Sequence, residues 1–450
     1  MTFPFTARTG RFAATAAIAA LAIGGLAACS SQPSSSATDG GKIDGKITVW
    51  SWTAPAKGLT AAVAGFEKAH PGAKVTVIDQ GNPAIWTKIT TGMTAGGAGL
   101  PDVMNIGIDY MGQYEEKFPG SLADLKTYGL GKLESDFAAG PWASGQGKNG
   151  EVYGIPYEVN ATGFFYRKDL WDKAGVDVST IKSYDDLLAA GKTIKAATGA
   201  PLFTMDKAAT VADSAGLFQL LMNLQNSFYF NGNGEITMNN AAGVKALEWI
   251  KKANDAGIID DVPGGWDNFV KTEKGDIPVA AFTGGGWMAG EIQADAPDMK
   301  GKWAVAAPIA FQPGGLTAAI NGGTYLTVNN KSTNKATAAA FIEYALGSME
   351  GQQSTYKGGG MFPGYKPFLA SEEFNAGMDY YGGAKVNQIF TAQLVQKTPV
   401  INYTSDYAKA LKVYDDAQTQ VLLKGADPKA ALDAAAQQLA VQTGRKIAGS

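Results

Sequence analysis

Cysteine and histidine are nearly missing from this chain: Cys29 and His70 are the only ones in 450 residues. A single cysteine cannot close a disulfide within the chain or build a cysteine-based zinc site. Any serine or cysteine triad would have to use His70. That histidine precedes Pro71-Gly72 at the end of a helical pattern, where it reads as an exposed cap residue rather than a base at a strand end. No GxSxG elbow and no GxxxxGK[ST] phosphate loop occurs. The nearest glycine fingerprint, Gly284-x-Gly286-x-x-x-Gly290, is only loosely dinucleotide-like. A transition metal would find oxygen ligands alone, so neither a metal nor a cofactor is expected. Basic charge is not in excess, with 38 Lys+Arg against 41 Asp+Glu, which excludes the electrostatic footprint of a nucleic-acid binder. No repeat of fixed period is present, which argues against a solenoid or propeller.

What is present starts with a leader. Arg8 and Arg11 precede an apolar run over residues 12–28, FAATAAIAALAIGGLAA, and Cys29 follows it. A basic start, an apolar stretch and small residues at the cut are the layout of a secretory signal, 1–28. Leu26-Ala27-Ala28-Cys29 resembles a bacterial lipobox, whose cysteine takes a diacylglycerol and becomes the mature N-terminus. A plain signal peptide, or an anchor left uncut, is the simpler alternative. Residues 29–41 contain SSQPSSSATDGG, too poor in apolar side chains to order itself, and read as a flexible tether. No later apolar run reaches the roughly 18 residues that a spanning helix needs.

The composition of the whole chain is that of a globular protein, 45% hydrophobic, 18% charged and rich in glycine, 57 in all, and the folded body starts near Lys42. The segment Lys46–Trp52 is rich in β-formers. Residues 58–69 place Leu59, Val63 and Phe66 on one helical face, and strand Ala73–Asp79, helix 83–95 and strand Asp102–Ile108 follow. That order predicts a parallel α/β sheet. Further on, Ser183 caps a helix over 183–197, 240–256 forms another, and Ile277–Phe282 is a strand entering Gly284-Gly285-Gly286. Helices over 335–346, 405–423 and 428–443 complete the pattern.

Fragments spread over nearly the whole body resemble, in order, the extracellular solute-binding proteins of ABC importers, in the sugar-binding family typified by maltose-binding protein. They are ITVWSW (47–52), GFEKAHPGAKVTV (65–77), GLPDVMNI (99–106), YGIPYEVNATGFFYRKDLWDKAGVD (153–177), SYDDLLAAGKTI (183–194), GDIPVAAFTGGGW (275–287) and GGTYLTVNNKSTNKATAAAFIEYAL (322–346). The resemblance implies a two-lobed α/β fold with an interlobe cleft. One lobe would comprise 43–157 plus 308–347 and the other 158–307 plus 348–450, with hinge crossovers near 156–160, near 306–311 and after Leu346. It also implies a monomer without enzymatic activity. Such a protein captures a mono- or oligosaccharide outside the membrane, is held there by a lipid on Cys29, and delivers the sugar to permease subunits.

A pyranose presents an apolar face and a rim of hydroxyls, so its site needs aromatic planes and polar side chains aimed at the rim. Open α/β sheets place such groups at the C-terminal edges of strands. Trp52, Gln80, Asp109 and Tyr110 follow the first three strands, and Tyr157, Glu158 and Asn160 sit at the first crossover. Trp287, where the family commonly carries a stacking tryptophan, follows a strand and three glycines. Asn321 stands beside Gly322-Gly323, and Phe362 follows another glycine run. Strand alternation points Trp50 toward the core, and Trp249 reads as helix packing. Other readings stay open. The acids Asp109 and Glu158 would also suit a cationic amino acid, peptide or polyamine, and a secreted glycan-acting enzyme would need two carboxylates flanking a bond.

Overall fold

The opening strand–helix alternation is realised almost residue for residue. The computed structural model describes residues 41–210, 215–394, 396 and 401–449; the leader, Cys29 and all of the tether but Gly41 lie outside the described residues. Strand β1 (Gly45–Ser51) leads into helix α1 (Thr53–Ala69), then β2 (Ala73–Asp79), α2 (Ala84–Thr94) and β3 (Val103–Gly107). Ile47 and Val49 bury one face of β1, and Leu59, Ala62 and Phe66 bury one stripe of α1. The His70 N–H ends α1 by donating to the Phe66 carbonyl at 2.9 Å. Its ring, 4.8 Å from that of Phe66, is half-buried rather than exposed. Helix α3 (Ile108–Lys117) follows β3 directly; its only buried side chains are Met111 and Tyr114, too few to mark it in the sequence.

The parallel sheet read from the sequence extends only over β2, β1 and β3. Beyond them, β9 (Ile320–Val328) runs antiparallel to β3. The long β4 (Gly154–Arg167) runs antiparallel to β9, to β7 (Ala281–Gly285) and to β8 (Trp303–Ala306). The order is β2-β1-β3-β9-β4-β7, with β8 also on β4, and β5 (Phe203–Met205) pairs separately with β6 (Ile259–Asp261). β4 is buried at every position but Tyr166. A strand covered on both faces loses the apolar–polar alternation that identifies strands, so its length could not be read. The strand expected at 277–282 lies slightly later, as β7, and takes Gly284 and Gly285 into its ladder with β4.

Helix ends follow their caps. The Ser183 hydroxyl accepts from the Asp186 N–H at 3.1 Å to start Tyr184–Thr198. Asn240 Oδ1 accepts from the N–H groups of Ala242 (2.9 Å) and Gly243 (3.0 Å) to start Ala241–Asp255. Trp249 of that helix is buried, its indole N–H donating to the Tyr184 carbonyl at 2.8 Å, as packing requires.

The buried side chains fall into two bodies. Ile47, Val49, Phe66, Tyr157, Leu326 and Ile342 share one core, joined by Met104, Ile106 and Tyr325 on the other sheet face. Phe164, Trp171, Tyr184, Trp249 and Tyr414 share another, flanked by Phe165, Phe282, Trp303 and Phe362. In β4, Tyr157 packs with the first body and Ala161 with the second. In and before β9, Ala319 packs with the second body and Leu326 with the first. After the helix Met349–Gly359, Met361 belongs to the first body and Phe362 to the second. Ile309 and Ala319 pack with the second body, and the helix Met349–Gly359 lies against α1 of the first while its Tyr356 packs with the second. The helix is held there because Gly58 leaves room on α1: a Cβ at that position would lie 2.8 Å from the Thr355 carbonyl oxygen.

Candidate functional site

Three strand ends build one side of the site. Trp52 leaves β1 at the start of α1, and its ring meets Trp86 edge-on at 5.0 Å. Trp86, in the first turn of α2, lies 4.5 Å from Tyr110 with the planes only 14° apart, and its indole N–H donates to Asn82 Oδ1 at 3.0 Å. All three rings are half-buried, so each keeps accessible surface. Asp109 stands beside Tyr110 in the first turn of α3, where the helix dipole favours an acid. Tyr403 lies close enough to Asp109 that the carboxylate adds to the effect of burial in raising the phenol above its usual range. A Cβ on Gly112 would collide with the Tyr403 carbonyl, so α3 rests directly on the 401–406 segment.

The sheet register connects this side to the next. Gly107 of β3 lies opposite Thr324 of β9, and Thr324 lies opposite Glu158 of β4. The Thr324 hydroxyl donates to Glu158 Oε2 at 3.2 Å. Burial pushes the Glu158 carboxyl up to about 7; the Thr324 hydroxyl opposes the shift and Glu291 adds to it. Glu291 is itself raised by burial and by Asp295, and pulled back by Lys57 of α1. Just beyond, the ladder slips from Val159↔Gly323 to Ala161↔Ile320, which leaves Asn160 facing Asn321 and Gly322. Asn160 is 5% exposed, and its Oδ1 is buried without a hydrogen-bond partner. Trp287 sits against it: a Cβ on Gly285 would lie 2.7 Å from Trp287 Nε1 and 3.0 Å from Asn160 Cβ. Glycine at 285 is what lets indole and amide close over the strand.

Trp52, Asp109 and Trp287 follow β1, β3 and β7, Asn321 lies near the start of β9, and Glu158 and Asn160 lie within β4, all on one sheet. The other candidates are engaged differently. Tyr157 is 2% exposed within the first core, and its hydroxyl donates to the Pro55 carbonyl at 2.9 Å. Gln80 Oε1 accepts from the Lys88 ammonium. Phe362 is 2% exposed, packed edge-on to Phe374 (5.2 Å) and Phe390 (5.6 Å), and lines a cavity of about 200 Å³ shared with Tyr356, Met378 and Asn387. Trp50 is not in the buried core as strand alternation implied. It is half-buried on the face of β1 opposite Ile47 and Val49, against the Met104 and Ile106 cluster. Trp86 and Trp266 were not singled out from the sequence. For Trp86 the signal was available, an aromatic in the first helical turn after the Gln80-Gly81-Asn82 loop. For Trp266 it was not, because only the fold brings it to 5.8 Å from Trp287.

Chemically, the arrangement offers aromatic planes, buried acceptors and two carboxylates of raised pKa. Among the described residues, no group of three or more His, Cys, Asp or Glu side chains gathers as a metal site would require, and no helix is long and apolar enough to cross a membrane.

Known proteins share this architecture. The lactose-binding protein of Rhizobium radiobacter is 28% identical over 411 residues, covering 88% of this chain and 93% of its own. The arabinooligosaccharide-binding protein of Bacillus subtilis (strain 168) is 29% identical over 355 residues, covering 76% and 79%. Among solved structures, an ABC transporter associated binding protein from B. animalis subsp. lactis Bl-04, in complex with beta-1,6-galactobiose, superposes with a TM-score of 0.72 at 27% identity, over 90% of this chain and 99% of that one. The sugar-binding protein MalE from Xanthomonas citri superposes with a TM-score of 0.71 at 20% identity, over 88% and 98%, and shows the same two-lobed α/β fold. Residues 50–352, most of the chain, match the model of the bacterial extracellular solute-binding proteins. The chain belongs to that family.

Proposed function

We propose that this protein is the substrate-binding component of an ABC importer, which captures a carbohydrate outside the membrane and delivers it to the permease. The observation that carries this reading is the pairing of accessible indole planes with a buried, unpartnered amide oxygen: Trp287 beside Asn160 Oδ1, on the same sheet whose other strands lead to Trp52, Trp86 and Tyr110. Indoles cover the apolar face of a sugar, and a desolvated acceptor demands a hydroxyl, since leaving it unpaired costs on the order of 1–3 kcal/mol. Sugar-binding relatives support the same reading.

The two bodies are joined where β4, β9 and residues 361–362 pass between cores, and these passages are the hinge about which the lobes close over the sugar. Closure alters the surface that a permease reads, so loaded and empty forms are distinguishable to it. Binding and release without bond cleavage make it a receptor and not an enzyme. The lipobox-like sequence before Cys29 supports a diacylglycerol anchor that keeps a monomeric receptor at the cell membrane after removal of the signal peptide.

A thermal-shift screen of the purified chain against mono- and oligosaccharides, amino acids, short peptides and polyamines tests the assignment. A ligand at 100 times its Kd adds about 2.7 kcal/mol of stability, a shift of several degrees. A response confined to sugars is the expected result. A response to a cation or peptide with silence for every sugar refutes it.

A further inference from the structure

We propose that the edge of the first body at which the chain enters the fold is a membrane-facing surface, which rests on anionic phospholipid headgroups and turns the candidate site away from the bilayer. The inference rests on the lipid-anchor reading above and adds the orientation in which the anchored receptor stands.

The described chain begins at Gly41, where a Cβ would lie 3.0 Å from Ala336 Cβ, so it enters the fold beside the first turn of the helix Lys335–Gly347. Asp44 fixes the entry: its N–H donates to the Thr337 hydroxyl at 3.1 Å, and its carbonyl accepts from the same hydroxyl at 2.7 Å. Strand β1 starts one residue later and runs from this edge to Trp52. At about 3.3 Å per residue, its length sets the candidate site roughly 20 Å from the entry. Entry and site thus occupy opposite edges of the parallel part of the sheet.

Five exposed lysines gather at the entry edge: Lys42, Lys46, Lys68, Lys74 and Lys331. Lys46 lies opposite Lys74 where β1 and β2 begin. The Gly45 N–H donates to the Gly72 carbonyl at 3.0 Å, which brings the end of α1, with Lys68, alongside. Asn334 donates to the Lys46 carbonyl at 3.0 Å and ties in the turn that carries Lys331. The carboxylates beside them are occupied. Asp44 pairs with Lys42 at 2.5 Å and Glu67 with Lys74 at 2.6 Å, while Asp102 accepts from the Thr48 N–H at 2.8 Å and the Ser332 hydroxyl at 2.6 Å. Among the described residues, no carboxylate pairs with Lys46, Lys68 or Lys331. This local excess of positive charge stands on a chain whose formal net charge is −3.

A few lysines attract anionic headgroups only weakly, and an acyl anchor makes a weak patch sufficient. The residues from Cys29 to Gly41 limit the separation, because a random chain of that length spans roughly 20 Å end to end. The patch is therefore held at high effective concentration over the bilayer. The attraction fades beyond a Debye length, about 10 Å at 0.1 M salt, so it acts only when this edge is turned down. In that orientation the receptor meets sugar with its site clear of the bilayer.

Acetylation of the chain purified from membranes with its lipid, and anchored in phosphatidylcholine vesicles with or without phosphatidylglycerol, tests this when each lysine is followed by mass spectrometry. Phosphatidylglycerol should slow the five edge lysines by about threefold or more, and about 1 M salt should erase the difference. Lys252 and Lys424, exposed on helices of the second body, should react at one rate on both vesicles. The triple variant Lys46→Glu, Lys68→Glu, Lys331→Glu, read at Lys42 and Lys74, should show no slowing, with the melting temperature and sugar affinity of the wild type. Should that variant not fold, the wild-type comparison decides alone. Equal edge rates on both vesicles, equal slowing at Lys252 and Lys424, or a folded variant that behaves as the wild type each overturns the membrane-facing edge and leaves the anchor standing. Wild type that stays on neither vesicle overturns the anchor reading and this orientation together.

Discussion

Glu273 supplies the sharpest test of the packing described above. It lies near the end of the helix Gly265–Lys274, fully buried, and both carboxyl oxygens lack a hydrogen-bond partner, while its backbone carbonyl accepts from the Trp303 indole at 3.0 Å. Burial pushes its pKa from 4.5 up to about 8, with Asp295 and Glu291 adding to the shift and Lys274 opposing it. The folded state therefore keeps a proton that the unfolded chain releases above about pH 4.5. Its stabilising effect is fully present below the unfolded value and is lost as pH rises through the folded value near 8. At about 1.4 kcal/mol per unit, the loss across that window is on the order of 3–5 kcal/mol, a large part of a typical domain's stability. Glu273→Gln keeps the shape and removes the titration. Urea unfolding of both proteins at pH 5, 6, 7 and 8 measures the slope, and any constant offset from the amide cancels. The wild type should lose several kcal/mol more than the variant over this range, and the variant should be the more stable at pH 8. Profiles that stay parallel within about 0.5 kcal/mol would refute the buried, unpaired carboxyl.

Three further outcomes are expected. Trp287→Ala should weaken sugar binding at least tenfold, about 1.4 kcal/mol, with little change in the melting temperature of the unliganded protein; an unchanged Kd removes Trp287 from the site. A sugar hydroxyl that donates to Glu158 favours its ionised form, so wild-type affinity should rise several-fold as pH climbs through 7, the value to which burial raises this carboxyl. Glu158→Gln should flatten that profile, and superimposable curves for the two proteins reject the contact. Cys29→Ser should abolish partitioning of the protein into a detergent phase, whereas normal partitioning of the variant would exclude lipidation at that residue.

Local features carried most of the elements. The β-branched run of β1, the apolar stripe of α1 and the side-chain caps Ser183 and Asn240 act within a few residues of themselves, so the sequence alone places those elements to within a few positions. The same locality hid β4. Its residues are buried on both faces, and the apolar–polar contrast that a reader needs is absent where both sides of a strand are covered. Antiparallel β9 was hidden for a different reason: nothing in Ile320–Val328 states that its partners are β3, more than two hundred residues earlier, and β4.

The candidate site divides along the same line. That tryptophans, acids and amides stand in or after strands is sequence information, and the fold sets Trp52, Asp109, Glu158, Asn160, Trp287 and Asn321 in or directly after strands of one sheet. Whether a side chain remains available depends on what the fold brings against it. Tyr157 meets the Pro55 carbonyl and Phe362 meets Phe374 and Phe390 because β4 and residues 361–362 pass between the two cores, whereas Trp266 reaches Trp287 only through the packing of Phe269 on Phe282. The sequence by itself determined the local elements and which residue types stand in and after them, since each depends on neighbours along the chain. Tertiary structure alone decided which rings form one surface, which oxygens are left without partners and where the chain crosses between lobes, because those depend on strand register and on contacts between residues far apart in sequence.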